Sequence, residues 1–192
     1  MSTLPAHAGA IAMIAALIAV VGSSGLTSAK DPTTITLNPG QAVMVANIVD
    51  GDTFKGHDGQ PYRLHGIDAP EICQPWGPRA RLELAHVLAE GDVRTWRAGR
   101  SWQREVVDVI VLRADGLSLD AAAELLRLGV AMVDDRYVSG LRERALLAIE
   151  QNARESGVGM WAYRPESPRD WRAEHRLVRP PGCVQRKTHA DR

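Results

Sequence analysis

Between positions 43 and 67 the chain is cut into short runs by acidic turns. VMVANIV stops at Asp50-Gly51-Asp52, TFKG stops at His57-Asp58-Gly59, and QPYRLHGI stops at Asp68-Ala69-Pro70-Glu71. Runs this short, filled with β-branched and aromatic residues, read as strands rather than helices. Asp58-Gly59 suits a hairpin. Pro70 disfavours helix at Ala69 and ends the pairing. Further along, residues 92–97 read as a short strand and residues 106–112 (VVDVIVL) as a strong one, with Asp115-Gly116 turning out of it. Helical stretches are interleaved. Residues 80–89 put Leu82, Ala85 and Leu88 on one stripe that Gly91 stops. Asp120 caps a helix over 121–128 with Gly129 just past its end, and residues 141–155 form a third helix closed by Gly157. Five short strands among three helices predict an α+β domain: a small closed or partly closed five-stranded β-barrel with about three helices packed on it.

The remainder of the chain divides around this body. At 192 residues, with 45% hydrophobic and 24% charged positions, it suits one domain with appendages. That composition excludes a wholly disordered chain, a collagen-like repeat and a disulfide-dense miniprotein. Twenty-three Lys/Arg balance 23 Asp/Glu, so nucleic acid is not bound by bulk charge alone. The charge is split, however. Residues 164–192 carry eight Lys/Arg against four Asp/Glu, and the body is correspondingly acidic. The expected organisation is an N-terminal targeting segment over 1–29, a linker over 30–42, the folded domain over 43–163, and a basic Pro/Arg-rich tail over 164–192 that reads as irregular.

Residues 10–21 (AIAMIAALIAVV) form an unbroken run of signal-peptide length, followed by helix-breaking Gly22 to Gly25 and by small residues up to Ala29. Cleavage near Ala29 is the expectation, and an uncleaved anchor is the alternative. Either reading puts the working part outside the cytoplasm, periplasmic or secreted when cleaved. Cys73 and Cys183 could pair in such a space, and closing so long a loop would contribute about 4 kcal/mol in the chain-entropy model. Two unpaired thiols are the other possibility. A monomer is expected, with no stable membrane partner unless the anchor is retained.

Chemistry is concentrated where the strands end. Asp52, Asp68 and Glu71 fall at turns within 20 positions, and Arg63 and Arg104 sit in or beside strands. Clustered carboxylates repel one another, which a divalent cation relieves, and oxygen donors favour Ca²⁺ or Mg²⁺ over softer metals. Two aspartates leave coordination places for water and substrate, and a third carboxylate can act as general base. Guanidinium groups match phosphoryl oxygens with paired donors, so the set suits a phosphodiester. Turn-forming aspartates and solvated ion pairs are the plainer reading. Trp76, Trp96, Trp102, Trp161 and Trp171 could stack bases, Trp76 being the best exposed candidate and Trp161 a core residue. The tail arginines, Arg172 among them, could track a phosphate backbone or be merely solvated.

The blocks Val49-Asp50-Gly51-Asp52-Thr53 and Arg63-Leu64-His65-Gly66-Ile67-Asp68-Ala69-Pro70-Glu71, with Leu125 to Ala131 and Gly157 to Trp161 later, resemble the staphylococcal nuclease (thermonuclease) family. The resemblance covers about two thirds of the chain. It implies an OB-fold barrel and Ca²⁺-dependent hydrolysis of DNA and RNA. Matched residue by residue, Asp52 and Asp68 are the carboxylate metal ligands and Ala69 contributes a backbone carbonyl. Glu71 is the general base and Arg63 the phosphate-binding arginine. Trp102-Gln103-Arg104 stands where the family has Tyr-Gly-Arg, so Arg104 is the second catalytic arginine, with Arg100 its rival. A non-catalytic binding module on the same barrel is the alternative, and the presence of all four charged residues favours the enzyme.

Overall fold

The computed structural model describes residues 38–136 and 139–175. The N-terminal apolar run and Cys183 lie outside the described residues. Among the described residues no helix is long and apolar enough to cross a membrane. The elements run β1 (Gln41–Ala42), β2 (Val45–Ile48), β3 (Thr53–Gly56), β4 (Pro61–Leu64), β5 (Ile67–Asp68), α1 (Gly77–Ala89), β6 (Gly91–Ser101) and β7 (Arg104–Arg113). They continue with β8 (Ser118–Asp120), α2 (Ala121–Arg127), β9 (Met132–Val133), α3 (Gly140–Glu155), a 3-10 turn (Gly159–Tyr163) and α4 (Pro168–Glu174).

The main sheet follows the path β1-β6-β7-β4-β3-β2, with β8 added on β7. β1 and β2 stand at opposite ends of that path, yet only Val43 and Met44 separate them in the chain. They act as one bent first strand whose first half bonds β6 and whose second half bonds β3. The path therefore returns to its start, and five strands close on themselves, as expected of an OB-fold. β4 and β7 form a parallel pair, with Arg63 level with Val106, while Thr53 faces Arg63 across the antiparallel β3–β4 pair. These two registers bring the ends of β3, β4 and β7 together. A small separate sheet, β5–β9, sets Asp68 opposite Met132.

The interior follows the period of two that strands impose. Val107, Val109 and Val111 of β7 are buried, whereas Asp108 and Ile110 between them are only partly covered. Phe54 and Tyr62 stack with ring centroids 5.2 Å apart. Leu84 of α1 and Leu125 of α2 complete the same cluster. Each such fully buried side chain contributes about 1.5–3 kcal/mol. Asp120 caps α2 by accepting from the Ala122 and Ala123 amides at 3.0 and 3.2 Å.

Three expectations are corrected in detail. Helix α1 begins at Gly77 rather than at 80, with Pro78 in its first turn. The strand expected over 92–97 extends from Gly91 to Ser101, because β7 pairs with it along its whole length and a bulge near Gly99 absorbs the twist. The segment after Tyr163 is not wholly irregular. Ser167 accepts the Asp170 amide at 3.1 Å, Pro168 occupies the first turn and is buried, and α4 becomes a fourth helix.

Candidate active site

The turns at the converging strand ends hold a cleft of about 410 Å³ lined by Asp52, Arg63, Ala69, Glu71, Arg104 and Arg172, among others. Asp52 sits in the turn between β2 and β3, whose Gly51 packs against Ala69 and Ala80 so closely that a Cβ would collide with both. Asp52 is 3% exposed. Its Oδ1 accepts from the Thr53 hydroxyl at 2.7 Å and its Oδ2 from the Ala69 amide at 3.2 Å. The turn at the β3 end is thereby bonded to the chain following β5.

Arg63 spans the two aspartates. Its Nη1 donates to Asp52 Oδ1 at 2.7 Å, and its Nη2 donates to Asp68 Oδ1 at 3.1 Å and to the Ile67 carbonyl at 3.3 Å. Burial alone would lower the Arg63 pKa, but the Asp52 and Asp68 charges outweigh it and hold the guanidinium firmly protonated. Asp50, accepting the Asp52 amide at 3.1 Å, is pushed up to about 7, by burial first and by the Asp52 charge second.

Glu71 lies in the loop before α1. Its amide donates to Gln74 Oε1 at 3.1 Å, and its carbonyl presses on Gly77, where any Cβ would collide. Gly77 is thus required for the loop to carry Glu71 at this height. Arg104 opens β7 and points its Nη1 at the Thr53 hydroxyl, 3.4 Å away. The turn before it places Trp102 at φ 58°, a region glycine favours, and leaves the indole 94% exposed on the rim. Beside them Arg136 donates to buried Asp134 from Nε and Nη2, both at 2.8 Å. Burial raises the Asp134 pKa, but the Arg136 bonds prevail and hold it below the usual carboxylate range.

Arg172 enters this cleft from α4. Its Nη1 and Nη2 grip Asp68 Oδ1 and Oδ2 at 3.1 and 2.6 Å, and Nη1 also reaches Glu71 Oε1 at 2.8 Å. Burial opposes its charge, but the Asp68 and Glu71 contacts raise its pKa above the usual arginine value.

The family model for the staphylococcal nuclease homologue matches residues 61–163, more than half of the chain. The chain belongs to the staphylococcal nuclease family. It is 28% identical to an uncharacterized endonuclease of Haemophilus influenzae over 138 residues, 69% of this chain and 74% of that relative. It is 33% identical to Protein ParB of Escherichia coli over 140 residues, 68% and 78% of the two chains. A probable endonuclease LCL3 of Pyricularia oryzae is 32% identical over 127 residues, and there the match spans about half of the relative's length (49%).

In this nuclease domain Asp52, Arg63, Ala69, Glu71 and Arg104 line one cleft, and Arg63 ties Asp68 to the same group. Arg104 rather than Arg100 turns inward, and Arg100 is exposed. The all-oxygen donors of Asp52 and Asp68, both buried and joined through one guanidinium, fit a hard divalent cation. Among the described residues no three His, Cys, Asp or Glu side chains cluster to hold a metal by themselves.

Two tryptophan readings change. Trp76 is partly buried against the core and lies 6.1 Å from Tyr163, so Trp102 is the exposed aromatic at the cleft. Trp161 is only partly buried, with the Arg154 guanidinium 4.0 Å over its ring. Sequence reasoning passed over Arg172, Asp50, Asp134 and Arg136 as cleft residues. For Arg172 the available signal was Ser167-Pro168-Arg169-Asp170, a cap, a first-turn proline and an acid three positions on, which together start a helix.

Proposed function

We propose that the chain is a calcium-dependent nuclease that hydrolyses phosphodiester bonds of DNA, RNA or both. Family membership makes it a nuclease, that is, a phosphodiester hydrolase. The observation supporting the finer reading is that Asp52, Arg63, Glu71 and Arg104 face one 410 Å³ cleft. Asp52 and Asp68 would hold calcium through carboxylate oxygens, with Ala69 offering its backbone carbonyl. When bound, the ion supplies charge to polarise the scissile phosphate. Glu71 takes a proton from a water that attacks phosphorus in line. Arg63 and Arg104 neutralise charge developing on the phosphoryl oxygens, and the 5′ oxygen leaves. Trp102 offers a face for an unpaired base beside the cut.

Export is part of the proposal. The apolar run over 10–21 and the small residues before Lys30 support a periplasmic or secreted enzyme, anchored if the run is retained. A Cys73–Cys183 disulfide in a monomer would suit that compartment.

The test is cleavage of single-stranded DNA and RNA by the purified full chain with Ca²⁺ and with chelator, alongside Glu71→Gln. Cleavage that needs Ca²⁺ and falls by about two orders of magnitude or more in Glu71→Gln supports the reading. Equal turnover in Glu71→Gln rejects the base assignment, and undiminished cleavage in chelator rejects the calcium role.

A further inference from the structure

We propose that Arg172 is a built-in cation that closes the metal site of the resting enzyme and must be displaced by the incoming divalent ion. The inference rests on the calcium reading of Asp52 and Asp68 and adds a competitor to it.

The geometry sets the two occupants in competition for one carboxylate. Arg172 takes both carboxylate oxygens of Asp68, and Arg63 takes Oδ1 again from the other side. Asp68 is 5% exposed and is absent from the cleft lining, whereas Arg172 lines it. Three of the roughly four acceptor sites of Asp68 are taken while the fork is in place. Arg172 also engages Glu71 Oε1 at 2.8 Å, so that oxygen must be released before it can accept a proton from water. One guanidinium thus occupies a metal-ligand carboxylate and the general base together.

The plug is also placed so that it can leave. The Arg172 side chain is 39% exposed while that of Asp68 is 7% exposed, so the arginine lies on the solvent side of the pair. It rides on seven residues of helix, Pro168–Glu174. A helix this short is marginal without docking, so its order depends on the contacts it makes. A divalent ion brings two positive charges to carboxylates where the guanidinium brings one. Once the ion takes Asp68, the helix loses its strongest attachment to the cleft. Arg172 lies beyond the stretch matched to the family model, residues 61–163.

The experiment is calcium binding by titration calorimetry on the full chain without nucleic acid, comparing the unaltered protein with Arg172→Ala, Arg172→Lys and Arg169→Ala. Arg169 sits one turn earlier on α4, exposed and outside the cleft lining. Hydrogen exchange of the α4 amides is followed with and without Ca²⁺. Expected are roughly three- to tenfold tighter binding by Arg172→Ala, an intermediate value for Arg172→Lys, no change for Arg169→Ala, and faster α4 exchange when Ca²⁺ is added. Calcium bound equally or more weakly by Arg172→Ala, or α4 protection that Ca²⁺ leaves unchanged, overturns the plug alone. If no form binds calcium, the metal reading falls and the plug with it.

Discussion

Replacing Arg63 with alanine separates a buried ion pair from an exposed one within the same molecule. The Arg63 side chain is 15% exposed and that of Asp52 4% exposed. The substitution removes donors from Asp52 at 2.7 Å, Asp68 at 3.1 Å and the Ile67 carbonyl at 3.3 Å. Asp52 keeps Thr53 and Ala69 as donors, and Asp68 keeps Arg172, so the charges are under-compensated rather than abandoned. That places the cost near the lower end for breaking a buried pair, about 3 kcal/mol. The comparison is Arg113, which meets Glu90 at 2.8 Å with both side chains 39% exposed. Arg113→Ala should cost about 1 kcal/mol or less. Equilibrium urea unfolding of both variants in chelator reads the difference directly. A double-mutant cycle with Asp52→Asn should return a coupling of at least about 1 kcal/mol. If Arg63→Ala costs no more than Arg113→Ala, or the coupling is nil, burial is not what makes this cluster cohesive.

Two further outcomes are expected. Trp102→Gly should raise KM for single-stranded substrate about tenfold with kcat little changed, since a stacking face is lost, while stability holds or rises because φ 58° suits glycine; an unchanged KM would remove Trp102 from substrate binding. The Tyr62 hydroxyl donates to Asp58 Oδ2 at 2.6 Å and holds that carboxyl below its ordinary 3.8. A folded-state value below the unfolded one contributes stability that is present above the unfolded value and lost as pH falls through the folded one. Tyr62→Phe should therefore cost more in urea unfolding at about pH 7 than at about pH 2, and an equal cost at both would contradict the linkage.

The sequence carried the barrel well because its strands are specified locally. Thr53–Gly56 is bounded by Asp-Gly turns on both sides, and the alternating valines of β7 announce a buried face by themselves. The Asp120 cap was equally legible, since a cap is satisfied within three residues. The full length of β6 was not, because its last residues are strand only through pairing with β7. The cleft divides the same way. Asp52, Arg63, Asp68 and Glu71 lie within 20 positions, so their convergence follows from short turns. Arg172 meets Asp68 across 104 positions, and no local pattern encodes which carboxylate a tail arginine will find. Trp76 and Trp102 were exchanged for a related reason: exposure depends on what packs above a residue, and sequence does not say that Tyr163 lies beside Trp76.

Gln74 gives the tail a fulcrum. Its side chain, buried in a 3% exposed residue, spends its carbonyl on the Glu71 amide and its amide on the Glu166 carbonyl, at 3.1 and 2.8 Å. Tearing Glu166 away would strand a buried amide donor, so if Arg172 is displaced as proposed, a pivot after that point would cost less than detachment. From Ser167 to Arg172 the helix rises about 8 Å, and a swing of about 30° carries its far end about 4 Å, enough to break contact with a carboxylate. The lever is short, and its stationary end is bonded to the loop that carries Glu71.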